Sequence, residues 1–170
     1  FGSILHKALE LIYKDYIGQE ITREELQKLE KNDSQIERAL TDAFREEYFT
    51  DIPKEKPVKL SGKNILIKEI LQKYIKQFLH VDQKFAPFTI YSLEKNYKAS
   101  IDFEVNNEKK RVTFKGIIDR LDINGEGIRV IDYKTGKPEQ KMNEVSQLFE
   151  TKGNHKALQA LLYCKMYNET

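Results

Sequence analysis

The chain has 170 residues, 39% hydrophobic, 33% charged and 11% aromatic, with a net charge of +2. That balance belongs to a folded domain with a core rather than a disordered tail, and it excludes an overall cationic or anionic surface as the signature of function. The single cysteine, Cys164, excludes an internal disulfide and any closed cysteine-based zinc or iron–sulfur site within this chain, and no apolar run approaches the length of a bilayer span.

Residues 3–17 carry an apolar stripe of Ile4, Leu5, Ala8, Leu9, Ile12 and Tyr16 at helical spacing. TREE at 22–25 is a capping box and opens a second helix. A third helix is predicted over 34–48, with Ile36, Ala39, Leu40, Ala43 and Phe44 inward. DIPKEKP at 51–57 breaks the pattern. After Ser61 a long amphipathic helix follows, with Leu66, Ile67, Ile70, Leu71, Tyr74, Ile75 and Phe78 expected inside.

The period then changes to two. Segments 88–97 and 99–105 read as strands, NNEKK at 106–110 as a hairpin loop and 111–123 as a third strand. NGEG at 124–127 is the turn into a fourth strand, 128–135. Pro138 suits the first turn of a further helix, and 155–167 reads as the last one. Leu158, Leu161 and Leu162 are expected on its core side. Helices, an antiparallel meander and helices again predict an α/β domain, its mixed sheet flanked by helices. The expectation is one domain over 1–170, helical over 1–85 and sheet-bearing over 86–170. It begins at Phe1 and stops within a helical pattern, as a piece of a longer protein would.

The meander poses a chemical problem. Ile117, Asp119, Leu121 and Ile123 share one strand face, and Ile128, Val130, Asp132 and Lys134 share another. Symmetric closure of NGEG sets Asp119 opposite Asp132; a two-residue Asn124-Gly125 turn shifts the pairing by two and keeps the faces. Like charges facing each other across a sheet destabilise it, and burying carboxylates without partners costs several kcal/mol. A cation between them resolves the conflict. Lys134 supplies part of that charge, and a divalent ion suited to oxygen ligands, Mg²⁺ or Mn²⁺, supplies more. The bland alternative is a solvated strand face with a surface salt bridge. The apolar neighbours of Asp119, and Tyr133 beside Ile131 on the opposite face, count against it.

GIIDRLD followed by VIDYKTG resembles the signature of the PD-(D/E)XK nuclease superfamily, and most of all its RecB/AddB-like branch, which includes CRISPR-associated RecB-like nucleases. GSILHKALE resembles the leading G-x-x-x-H-x-x-L-E helix of that branch, SLEKNY its glutamate-bearing strand and QALLY its Q-x-x-x-Y helix. The resemblance implies a restriction-endonuclease-like core and a Mg²⁺- or Mn²⁺-dependent hydrolase of DNA phosphodiesters. It implies an exonuclease in recombination or repair, with a helicase subunit or a helicase domain of the same chain as partner; the single cysteine is compatible with a reducing, cytoplasmic setting, and without a bilayer-length apolar run no membrane association is expected. Asp119 and Asp132 would be metal ligands, with His6 and the Tyr133 carbonyl as further ligands. Lys134 would be the catalytic lysine. Glu94 would support the metal or orient the lysine, and Gln159 and Tyr163 would contact substrate or Lys134. AddB-type members often carry four cysteines for an iron–sulfur cluster, a set this chain lacks.

Each of these residues has a plainer reading as well. His6 stands on the border of an apolar stripe, where a histidine is often structural. Glu94 fits a strand-end salt bridge. Gln159 and Tyr163, four apart on one helix face, fit a packed tyrosine with a hydrogen-bonded amide. His80 and His155 have no functional support. Arg120, opposite Asp119, has Asp122 or a neighbouring helix as candidate partners. Lys115, Lys137 and Lys141 have the charge and reach to hold phosphates. YKTGKP lacks the first glycine of a phosphate loop, and NGEG opens no helix. The competing functional reading is a catalytically inactive nucleic-acid-binding or scaffold module on the same fold. A decayed site would be expected to have lost an acid or the lysine, and all three are present. A third reading replaces DNA with RNA or another phosphodiester.

Overall fold

The computed structural model of the protein describes residues 1–53, 56–136, 144–148 and 154–169. The predicted helix start at Pro138, and Lys137 and Lys141, lie outside the described residues. Two compact units are present: Phe1–Leu93 with Leu121–Arg129, and Glu94–Arg120 with Val130–Thr170.

The first unit is mostly helical. α1 (Gly2–Tyr13) buries Ile4, Leu5, Ala8, Leu9, Ile12 and Tyr13. It ends before the predicted residue 17, in a short 3-10 turn over Lys14–Tyr16. Tyr13 rather than Tyr16 completes the stripe, because its hydroxyl finds a buried acceptor: it donates to Asp82 Oδ2 at 2.6 Å. α2 (Arg23–Lys31) opens on the expected capping box, the Glu25 N–H donating to the Thr22 hydroxyl and the Thr22 N–H to the Glu25 carboxylate. α3 (Asp33–Glu47) buries all five residues expected of it.

α4 (Lys63–Asp82) departs from expectation. Its buried stripe is Asn64, Leu71, Ile75, Leu79 and Asp82, while Leu66 is 62% exposed and Ile70 44%. The helix is apolar over more than one face near its start, so periodicity did not single out one stripe. Packing against α2 and α3 selects Leu71, Ile75 and Leu79.

Four strands form one antiparallel sheet in the order β1-β2-β3-β4: β1 (Glu20–Ile21), β2 (Phe88–Val105), β3 (Glu108–Asn124) and β4 (Gly127–Ile131). Ile21 pairs with Phe88, and a parallel bridge joins Ile17 to Ile90. The two strands expected over 88–105 are one. The expected five-residue loop shrinks to Asn106-Asn107, both at positive φ (51° and 62°). Asparagine tolerates that region, and two such residues make the tight turn that suits strand twist. The outer hairpin is held by Ser100 Oγ against Thr113 Oγ1 (2.9 Å) and by Arg111 on Asp102 (2.6 and 2.8 Å). NGEG closes as a hairpin with Gly125-Glu126 between the strands, the Glu126 N–H donating to Asn124 Oδ1. α5 (His155–Asn168) belongs to the second unit.

Candidate active site

The centre of the site is the middle of β3. Ile118 to Asp122 are all buried. A half-exposed strand alternates, so five buried residues in a row mean that both faces are covered there. Asp119 therefore sits where an unpartnered carboxylate would be costly. It is 6% exposed, and its Oδ2 accepts the backbone N–H of Tyr133 at 2.6 Å.

β4 stops at Ile131, so Asp132 to Thr135 leave the strand that was expected to run to 135. The reason lies in this bond: the Tyr133 N–H turns to a side-chain carboxylate. Tyr133 itself is buried. Asp132 is half-buried, and Lys134 Nζ lies 2.9 Å from its Oδ1 and 2.8 Å from its Oδ2. Partial burial pulls the Lys134 ammonium down. The hydrogen bond to Asp132 and the charges of Asp132, Asp119 and Tyr163 outweigh this and carry it above its ordinary value.

α5 contributes Tyr163. Gln159 Nε2 donates to the Tyr163 hydroxyl at 2.5 Å. Burial raises the Tyr163 phenol, with Asp132 and Asp119 adding to the shift and the Gln159 hydrogen bond and Lys134 opposing it. The inward side of α5 carries Tyr163 and Met166, whereas Leu161, expected inside, is 52% exposed. Gly116 explains the choice. A Cβ there would lie 3.0 Å from Tyr163 Cε1 and 3.6 Å from Met166, so the bare backbone of β3 admits the tyrosine ring.

Glu94 enters through a fault in β2. Phe88, Ile90 and Ser92 are buried at even positions, Tyr97 and Ala99 at odd ones, and between them Glu94 has φ +43°. One extra residue shifts the parity of a strand, as a β-bulge does, and re-aims a side chain. A Glu94 carboxylate oxygen lies within 4.8 Å of one of Asp119. The second unit thus brings together Glu94, Asp119, Asp132, Tyr133, Lys134, Gln159 and Tyr163. His6 lies on α1 in the first unit, half-buried at the margin of its stripe. His80, His155 and Lys115 are exposed.

Sequence reasoning missed the parts played by Gly116 and Arg120. The glycine within an apolar strand was the available signal for the first. For the second the fully buried arginine gave none, since Arg120 Nη1 donates to the Tyr133 hydroxyl, a partner alternation could not name. On the same strand, Asp122 is bound by Arg129, whose guanidinium lies 4.4 and 4.8 Å from the Phe85 and Phe88 ring centres.

The carboxylates that the second unit gathers, Glu94, Asp119 and Asp132, are hard oxygen donors that fit Mg²⁺ or Mn²⁺ and not a thiolate-seeking ion. Cys164 is exposed. Among the described residues no helix is long and apolar enough to cross a membrane. No curated protein and no solved structure matches the chain significantly. The family description of the PD-(D/E)XK nucleases, enzymes that use divalent metal ions, matches residues 1–170. With that full-length match and an α/β, restriction-endonuclease-like fold, the chain belongs to the PD-(D/E)XK nuclease superfamily.

Proposed function

We propose that the protein is a Mg²⁺- or Mn²⁺-dependent deoxyribonuclease of the RecB/AddB-like kind, an exonuclease working in recombination or repair beside a helicase subunit or helicase domain. The observation that supports it most is the Asp119–Tyr133 bond, because it draws the Asp132-Tyr133-Lys134 segment to the buried acid of β3. Asp119, Asp132, His6 and the Tyr133 carbonyl are the proposed ligands, with Glu94 in support. A bound ion lowers the pKa of water and offsets phosphate charge.

The remaining steps belong to the chain. Lys134 brings an ammonium to the edge of the acids, where it orients the attacking water and stabilises the charge that grows on the phosphate oxygens. Gln159 and Tyr163 present a hydroxyl and an amide from α5, in the same unit, to hold the substrate phosphate or the lysine. Glu94 and Asp119 keep negative charge at the metal positions and repel a phosphate that arrives without metal.

The test incubates the purified protein with end-labelled single- and double-stranded DNA, and with RNA, in Mg²⁺, Mn²⁺ or EDTA, beside Lys134→Ala. The expected result is metal-dependent DNA cleavage from ends, lost by at least ~10²-fold in Lys134→Ala, a loss typical of removing one transition-state stabiliser. An unchanged circular-dichroism melt of the variant shows that the fold is intact. Cleavage at the wild-type rate in Lys134→Ala would sink the mechanism. Nucleic-acid binding without cleavage in any metal would favour the inactive module.

A further inference from the structure

Arg120 heads the largest fully buried side chains among the described residues. A guanidinium keeps its charge at any ordinary pH, so burying it costs several kcal/mol unless hydrogen bonds return that energy. The proposed chemistry has no step for it, and it points away from Asp119, on the other face of β3. Its Nη1 donates to the Tyr133 hydroxyl at 2.9 Å, and its guanidinium carbon lies 5.9 Å from the centre of the Tyr133 ring. The other end of Tyr133, its backbone N–H, holds Asp119 Oδ2 at 2.6 Å.

Tyr133 is therefore gripped at its hydroxyl and grips an acid with its main chain. Residue 133 lies beyond the end of β4, so this grip acts on a segment outside the named strands. An aspartate with one oxygen pinned presents the other in a set direction, and the pinned N–H fixes the peptide plane that joins Asp132 to Tyr133. We propose that Arg120 is a positioning residue: acting through Tyr133 from the far face of β3, it fixes the Asp119 carboxylate in the orientation that receives a divalent ion. The metal consequence rests on the nuclease reading; the clamp itself does not.

The test uses Tyr133→Phe, which keeps the ring in the core and removes only the hydroxyl, together with Arg120→Lys. In the metal-free protein the residue-133 amide proton should resonate far downfield and exchange slowly, as a short bond to a carboxylate requires. In both variants it should move upfield and exchange faster. Mn²⁺ affinity by calorimetry should fall about 10–100-fold, the usual effect of losing an outer partner of a ligand. The kcat for DNA cleavage should fall with KM unchanged. An amide and a Mn²⁺ affinity both unchanged in Tyr133→Phe would overturn the clamp, and so would an amide that moves without any loss of affinity. A wild-type protein that binds no Mn²⁺ would overturn the nuclease reading instead, with the amide signal still deciding the clamp.

Discussion

Gly116 lies three residues before Asp119 and faces the ring of Tyr163. Its backbone has no unusual φ, so only space keeps it a glycine. Gly116→Ala would put a methyl 3.0 Å from Tyr163 Cε1, and the ring must give way. Overpacking of this kind costs about 1–3 kcal/mol. We expect Gly116→Ala to lower the melting temperature and to slow single-turnover DNA cleavage, with a smaller further loss when Tyr163 is already alanine. Residues in contact couple in this way; fully additive losses in the double variant would mean that Gly116 acts on something other than Tyr163. At this scale, legibility followed cost. Asp119, Asp132 and Lys134 could be picked from the sequence because charges inside apolar runs demand a reason. Gly116 and Arg120 could not be assigned, since one acts by what it lacks and the other through a tyrosine thirteen positions on.

Helix starts were legible because their chemistry is local. Thr22 and Glu25 are three apart, and α2 opens where they say. The Glu25 carboxyl is held below its ordinary value by the Thr22 backbone N–H first and the Thr22 hydroxyl second. A depressed carboxyl contributes stability above its unfolded pKa and loses it as pH falls through the folded value. Glu25→Gln should therefore melt below the wild type at pH 7, and the gap should begin to narrow as pH enters the ordinary carboxylate range, about 4, and close only below the depressed folded value. A gap that persists at low pH would assign the effect to packing and not to the capping box. Strand ends were less legible, for reasons that lie between strands. The two expected strands run on as one through residue 98, and within it the parity change at Glu94 is marked in the sequence only by a charged residue after an apolar stretch. The end of β4 depends on Asp119, in a different strand, accepting the amide of Tyr133. In α4, Leu66 and Ile70 are exposed against expectation, because only the neighbouring helices decide which apolar face is buried.

For the chain as a whole, the order of helices, meander and helix was readable from hydrophobic period, and the α/β fold followed. The division into two units was not, because it runs through β2 and β3 and depends on which residues meet in three dimensions. The carboxylates of the proposed site gather only on folding. Glu94 and Asp119 lie within 4.8 Å in the folded second unit and are 25 positions apart along the chain. An unfolded chain therefore has no such site, and an ion that binds the native state stabilises it by mass action, by about 2.7 kcal/mol at a hundred times its Kd. Mn²⁺ should raise the melting temperature of the wild type in a concentration-dependent way, and EDTA should reverse it. His6→Ala should weaken the response if His6 is a ligand, and an unchanged response removes it from the set. Asp119→Asn is the sharper case. Without metal, the variant relieves repulsion between neighbouring acids while keeping an oxygen for the Tyr133 amide, so it should melt at or above the wild-type temperature. With Mn²⁺ the order should invert, because only the wild type responds. If both proteins shift equally, the ion binds elsewhere, and the clustered acids need another account of why the fold bears their repulsion.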